Sequence, residues 1–429
     1  MSKGNVKIIG GGLAGSEAAY YLLKHDYEVT LFERKPLIKD GAHENELLGE
    51  LVCSNSLKSK ELTNACGLLK NEISSLGSII MEASEVASVP GGNALTVDRD
   101  LFASSITDKL LSFPNFHLIR EEVLTLDDAP TILATGPLTS GPLLDELSKI
   151  VGSKNFSFFD ASAPIVAKDS LDFSKVYYKS RFQQDDGAYL NAPFTKEEYF
   201  HFVEELVHAE RALLHEFDTK YFEGCLPIEI MAGRGVETLR HGMLKPFGLG
   251  TDEHPRPYAV AQLRQDTKLG DYYNLVGFQT NLTYGEQKRV FSLIPGLENA
   301  KFIRYGLMHR NSYIDAPIAL NEDLSLKNKN NVYVAGQLSG VEGYVESAMV
   351  GLISAINISR KLEGKTFISL PKETVSGALL DYIIHANPTY FAPMNANWAL
   401  FPNSNKNNRQ LTIDGAKEAL TRYINSINE

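Results

Sequence analysis

The chain holds three cysteines, Cys53, Cys66 and Cys225. A cysteine thiolate is a potent nucleophile, so their settings come first. An odd number of cysteines cannot build a disulfide framework, and these spacings match no zinc pattern. No C-x-x-C pair exists, which argues against dithiol reduction. Cys53 lies in the polar run ELVCSNSLKSKEL, where Ser54, Asn55 and Ser56 can donate hydrogen bonds and Lys58 and Lys60 favour a thiolate. Cys225 lies in the irregular FEGCLPIE, beside Glu223 and before Pro227. Cys66 falls in a helical TNACGLLKNEI and is expected in the core. Packing is the competing reading for all three, because free cysteines are among the most buried residue types.

The elements that must position such groups begin at the amino terminus. VKIIGGGLAGSEAAYYLLKHDYEVTLFERKP reads as a strand, a glycine turn, an amphipathic helix and a second strand ending in an acid. Gly10 permits the tight turn, Gly12 lets backbone approach a pyrophosphate, and Gly15 allows helix to pack closely on strand. The helix start offers unpaired N–H groups to phosphates, and Glu33 is placed to accept from a ribose diol. A dinucleotide site is expected.

Two later segments return to the same architecture. PTILATGPLTS is a buried strand ending in Ala134, Thr135 and Gly136; NVYVAGQLSGVEGYVESAMVGLISAIN is a strand, a glycine-rich turn and a small-residue helix. This arrangement is typical of flavoproteins and implies FAD. Gly336, Gly340 and Gly343 are expected to let backbone approach the cofactor, and the helix starting near Val345 to direct its positive end at the flavin ring. Tyr344 and Glu346 are candidates for handling protons there. The expected fold is α/β: a glutathione-reductase-type FAD-binding Rossmann domain, residues 1–145 and 325–429, with an inserted α+β domain over 146–324. Residues 36–100 read as polar and turn-rich. In the insertion, APIVAKD and YAVAQLRQ read as strands and KEEYFHFVEELVHAERALLHEF as a helix.

With 429 residues and 43% hydrophobic content, the chain suits about two globular domains. No run approaches the roughly 18 apolar residues that span a bilayer, and a soluble, cytoplasmic protein is expected. The net charge of −11 argues against nonspecific coating of nucleic acid but leaves room for a local basic face. No metal site is expected.

Strings along nearly the whole chain, among them IGGGLAGSEAAY, ELVCSNSL, VPGGNALTVDR, FEGCLPIEIMA, LRQD, NLVGFQTNLTYGEQKRV, IPGLENAKFIRYGLMHRNSYI, AGQLSGVEGYVESA and PMNANW, resemble the folate- and FAD-dependent tRNA uracil-5-methyltransferases. The resemblance implies that methylenetetrahydrofolate supplies a one-carbon unit, NADH or NADPH reduces it through FAD, and carbon 5 of a T-loop uridine receives methyl. That carbon becomes nucleophilic only after addition at carbon 6, a task that suits a thiolate. Cys225 is the first candidate by resemblance, with Cys53 on the flavin side and Tyr344 a further catalytic candidate.

Further assignments follow the same resemblance. His309, Arg310 and Asn311 are expected at the folate, with His309 stacked on the pterin. Arg181, Arg234, Arg240, Lys245, Arg264, Lys288, Arg289 and Arg310 are candidates for an RNA-facing cationic surface. Where the family pattern expects RGKKT, this chain has Arg234-Gly235-Val236-Glu237-Thr238, which weakens phosphate contact; His43-Glu44 is a second departure. Uridine of large-subunit ribosomal RNA is therefore an alternative target, and a small-molecule flavin oxidoreductase a further one.

Overall fold

The computed structural model describes residues 2–38, 43–152, 156–181, 187–212, 226–253, 255–401 and 408–429, with the backbone alone for 156–160, His309 and Arg310. The first strand, Asn5–Ile9, buries Val6, Ile8 and Ile9 and sits mid-sheet between two parallel neighbours. Its sheet runs Ser325–Leu326, Lys329–Val334, Thr131–Leu133, Asn5–Ile9, Glu28–Phe32, Phe116–Ile119, and all but the first pairing are parallel. Helices Leu13–Lys24 and Tyr344–Leu362 pack side by side against it. Their contact is close because Gly351 and Ala14 meet backbone to backbone: a Cβ on Gly351 would lie 2.2 Å from the Ala14 carbonyl oxygen.

The second body is an antiparallel six-stranded sheet in the order Tyr177–Tyr178, Tyr189–Phe194, Ala259–Gln265, Tyr272–Leu275, Ile165–Ala167, Phe302–Arg304. Helix Lys196–His208 covers it, and Thr195 with Glu198 forms a capping box at its start. That helix stops at His208, where Ala209 turns extended, well short of the segment's full apolar run. The second core draws on residues between Ala163 and Ala300. Leu147, Val151, Tyr313, Ile314, Ala319 and Leu324, all inside the 146–324 segment, pack instead into the first core.

Residues 36–100 are more regular than their polar composition suggests. They carry helices Ala65–Ser75 and Ile79–Val86 and a three-stranded sheet of Ser56–Ser59, Ser88–Val89 and Ala94–Val97. The reason is that two buried carboxylates organise them and their neighbours. Glu17 accepts from Ser78 Oγ at 2.7 Å and from the amides of Ile79 and Ile80 at 3.2 Å, capping one helix. Glu72 accepts from the amides of Val375 and Ser376 at 2.8 Å, capping helix Val375–His385. No helix among the described residues is long and apolar enough to cross a membrane.

Candidate active site

The glycine turn after the first strand, the end of the second strand and the turn after Thr131–Leu133 enclose a cleft of about 1080 Å³, partly open to solvent. Tyr344 and Ser347 line it from the start of the long helix Tyr344–Leu362. The three glycines of the fingerprint separate by function. A Cβ on Gly10 would lie 2.4 Å from the Ala134 carbonyl oxygen, and one on Gly15 would lie 1.9 Å from the Gly10 oxygen, so both are required by packing. A Cβ on Gly12 would meet nothing within 4 Å; the space beside it belongs to the cleft. The Glu33 carboxylate, largely buried, accepts from the Gly11 amide at 2.9 Å and the Lys35 amide at 2.9 Å while still lining the cleft. An open backbone turn at a helix start with a fixed carboxylate at the next strand fits the two ends of an adenosine diphosphate group.

At the end of this cleft where helix Tyr344–Leu362 begins stands the loop Leu51–Asn55, tied at every residue. Tyr344 Oη accepts from the Cys53 amide at 2.7 Å and the Ser54 amide at 2.9 Å. Three arginines donate to the rest of the loop. Arg99 reaches the Leu51 carbonyl at 3.4 Å and Arg304 the Val52 carbonyl at 2.9 Å. Arg264 reaches Asn55 Oδ1 at 2.9 Å and Ser54 Oγ at 3.0 Å. Asn55 in turn donates to Val97 O at 3.1 Å and to Gln265 O at 2.9 Å, so the loop joins the flavin body to the insertion. Cys53 is partly buried, and its sulfur lies 3.6 Å from the Ala161 carbonyl oxygen.

The electrostatics of this loop are cationic. Arg99 pairs with Asp266 at 3.3 Å and Arg304 with Glu44 at 3.0 Å; Arg264 is buried against neutral partners. Burial pulls the Arg264 and Arg304 guanidinium groups below their ordinary range. For Arg99 burial acts the same way, but Asp266, Tyr344 and Cys53 outweigh it and hold the group above its ordinary value. Burial, reinforced by the charge of Cys53, pushes the Tyr344 phenol far above the tyrosine range, so it keeps its proton at neutral pH. A protonated phenol and three guanidinium groups, two of them paired with carboxylates, thus surround one loop.

Residues 5–366 match the model of the family described as Glucose inhibited division protein A. A Methylenetetrahydrofolate--tRNA-(uracil-5-)-methyltransferase TrmFO of Ligilactobacillus salivarius (strain UCC118) is 50% identical, covering 95% of each chain. Its counterpart in Desulforudis audaxviator (strain MP104C) is 52% identical over 93% of this chain and 92% of its own. The chain belongs to the folate- and FAD-dependent tRNA (uracil-5-)-methyltransferase family. Among solved structures, Aquifex aeolicus GidA in its form I crystal superposes with a TM-score of 0.72 at 16% identity, covering 99% of this chain and 76% of that one, which shows a shared fold. FAD is the family's cofactor, and the open turn at Gly12 with Glu33 beside it fits that group.

Of the residues singled out in the sequence of this methyltransferase family member, Gly10, Gly12, Glu33, Ala134, Thr135, Gly136, Gly336 and Tyr344 line one cleft. Gly15 and Gly340 do not. A Cβ on Gly340 would lie 2.5 Å from the Phe391 ring, so that glycine admits an aromatic side chain rather than a cofactor. Gly343 is likewise pressed against Glu346 and Lys58. Glu346 is committed to Lys58 at 2.9 Å and to the Ala396 amide at 3.2 Å, a structural role in place of the proton handling expected of it. Lys58 therefore answers Glu346, and the cations grouped with Cys53 are arginines from distant segments. Cys66, expected in the core, is only partly buried. Cys225 lies outside the described residues, as do the side chains of His309 and Arg310; Asn311 is buried on strand Met308–Tyr313.

The cationic surface also needs revision. Arg264 is buried under the Cys53 loop and cannot face RNA. Arg181 braces the carbonyls of Phe247 and Lys245, both at 2.7 Å, and Arg289 is neutralised by Glu205 and Glu286. Arg240 lies 4.3 Å from the Tyr258 ring and pairs with Glu237 at 3.2 Å. Glu237, the acid that departs from the family pattern, thus serves Arg240 and Tyr258. Arg234, Lys245 and Lys288 are exposed.

Proposed function

We propose that this chain methylates carbon 5 of a uridine in the T loop of tRNA, with methylenetetrahydrofolate as carbon donor and NADH or NADPH as reductant. The balance is uridine, methylenetetrahydrofolate, NAD(P)H and a proton giving 5-methyluridine, tetrahydrofolate and NAD(P)+. Bound FAD supplies the redox chemistry that takes the one-carbon unit to the methyl level. The turn at Gly10–Gly12 and the Glu33 carboxylate would hold it, and Tyr344 lines the cleft from the start of its helix.

The observation that carries this reading is the Leu51–Asn55 loop, fixed by Tyr344 and three arginines where Val52 enters the cleft. Such a loop holds Cys53 next to Val52, which lines the cleft. Cys225 is the partner we assign to carbon 6 of the uridine, with Cys53 acting on the one-carbon side. His309, Arg310 and Asn311 are assigned to the folate, and the insertion to the RNA.

Two relatives that match nearly end to end carry tRNA names, which favours tRNA over ribosomal RNA. Labelled methylenetetrahydrofolate incubated with unmodified tRNA and ribosomal RNA transcripts decides the matter. Label in tRNA alone is expected. Label in ribosomal RNA alone moves the substrate, and label in neither removes the proposed activity.

A further inference from the structure

Three aromatic rings lie in a row on the insertion. Phe302 and Tyr305 stack with centroids 5.4 Å apart and planes 8° from parallel, and Tyr305 stacks on Tyr284 at 4.8 Å and 18°. Tyr284 ends the row and is 52% exposed. Among the described residues no further ring covers it. A lone exposed tyrosine is ordinary, but one stacked on a second ring that is itself stacked on a third is a pre-ordered surface.

The row is rigid for identifiable reasons. Gln287, fully buried, accepts from the Gly306 amide at 2.7 Å and donates to the carbonyls of Gly306 and Leu282 at 2.9 and 2.8 Å. It thereby locks Tyr305 to the helix Tyr284–Phe291. Thr283 caps that helix, and buried Glu229 accepts from the Asn281 amide at 2.7 Å and from Thr280 Oγ1 at 2.9 Å. A ring that is already ordered loses little entropy when another ring stacks on it.

The row also stands close to the Cys53 loop. Gly306 abuts Ser162, the Ser162 amide donates to Leu307 O at 2.9 Å, and the carbonyl of adjacent Ala161 lies 3.6 Å from the Cys53 sulfur. Exposed Lys288 stands one helical turn after Tyr284 and exposed Lys301 immediately precedes Phe302, whereas the one arginine on the same helix is neutralised. Flat aromatic surface beside cations near a uridine-modifying site suits one class of occupant. Single-stranded RNA is recognised by stacking unpaired bases on aromatic rings, with cations tracking its phosphates.

We propose that Tyr284 is a stacking platform for an unpaired nucleobase of the RNA substrate, a neighbour of the target uridine in its loop. The proposal deepens the RNA methyltransferase reading and rests on it. Flipping the uridine out breaks its stacking with that neighbour, and the tyrosine replaces the lost contact.

The test uses the full-length flavoprotein and an unmodified T-arm stem-loop transcript. Tyr284→Ala and Tyr284→Leu should raise the KM and the Kd for this RNA about 10-fold, the scale of one base–aromatic stack, while kcat at saturating RNA stays within about twofold. Tyr284→Phe should behave as wild type, because only the ring is needed. Transcripts abasic at single loop positions supply the second arm. At one position the abasic RNA should bind wild type and Tyr284→Ala equally poorly. An unchanged RNA Kd in Tyr284→Ala, with flavin content and melting temperature intact, overturns the proposal. So does a penalty that multiplies with abasic substitution at every loop position, or a change confined to the KM of NAD(P)H or folate. Methylation by wild type with a neutral Tyr284→Ala defeats this inference alone; absence of any RNA methylation defeats the reading beneath it.

Discussion

Tyr344 Oη and the Cys53 backbone amide are 2.7 Å apart, and the same phenol oxygen takes the Ser54 amide at 2.9 Å. One side chain at the start of the flavin-facing helix therefore holds the backbone of the loop that carries Cys53. The pairing leaves the phenol proton available toward the cleft, since both amides donate and the oxygen accepts. Tyr344→Phe keeps the ring that lines the cleft and removes the acceptor. The expected outcome is FAD bound as in wild type and kcat for methyl transfer down about 100-fold, the scale of a small misplacement of a reacting group. Wild-type turnover would dismiss the phenol as a positioning group.

Arg264 fixes the same loop from the insertion, at 2.9 Å from Asn55 and 3.0 Å from Ser54. Its two bonds come from two nitrogens, Nε and Nη2, fixed in one planar group, a geometry lysine cannot copy. Arg264→Ala leaves Asn55 Oδ1 without its donor in a buried setting, which costs about 1–3 kcal/mol. Arg264→Lys is expected to lose methylation nearly as completely as the alanine variant, with RNA affinity little changed. A drop in RNA affinity with intact chemistry would return Arg264 to the RNA face.

Gly12 and Gly15 are three residues apart and predict different failures. Gly12 has an ordinary backbone φ of −73°, and a Cβ there meets no protein atom within 4 Å. Gly12→Ala should fold normally but purify with little flavin, because the added methyl occupies the phosphate approach. Gly15→Ala drives a Cβ to 1.9 Å from the Gly10 oxygen and must separate helix from strand, at about 1–3 kcal/mol of stability. Visible flavin absorbance and melting temperature on the two purified variants check both. Equal melting temperatures would remove the distinction.

The glycine fingerprint and its acid were legible because every part lies within one βαβ unit, at spacings that local geometry dictates. The antiparallel insertion was legible as strands and a helix, though not its register, which long-range pairing sets. The arginines under Cys53 were not legible. Arg99 heads a helix, Arg264 stands on strand Ala259–Gln265 and Arg304 on Phe302–Arg304, and nothing local distinguishes an inward guanidinium from a surface one. The only hint lies in Arg264 itself, a cation amid the apolar residues of a central strand. Lys58 and Lys60 stand nearer to Cys53 along the chain, and proximity in sequence favoured them over the arginines that surround it in space. Gly340 misled for a related reason: a glycine in a nucleotide-fold turn reads as ligand contact, while Phe391, which requires it, is remote along the chain.

Glu17 and Glu72 make the fold's stability depend on pH. Both are fully buried, and burial raises each carboxyl from its ordinary 4.5 to about 7 despite the hydrogen bonds that favour its ionised form. A carboxyl with a folded value above its unfolded value binds its proton more tightly in the folded state. Its contribution is therefore complete below about pH 4.5 and is lost as pH rises toward 7. Each group accounts for about 3 kcal/mol across that window, because every tenfold difference in proton affinity between the two states is worth about 1.4 kcal/mol. Lys70, which burial lowers to about 8, acts in the opposite sense only at higher pH and does not offset the acids between pH 5 and 7. Urea unfolding at pH 5 and at pH 7 should show the wild type less stable at the higher pH. Glu17→Gln and Glu72→Gln should each flatten that slope, since a buried amide does not ionise. Slopes identical to wild type in both variants would mean that these carboxylates stay ionised, held by the helix starts they cap.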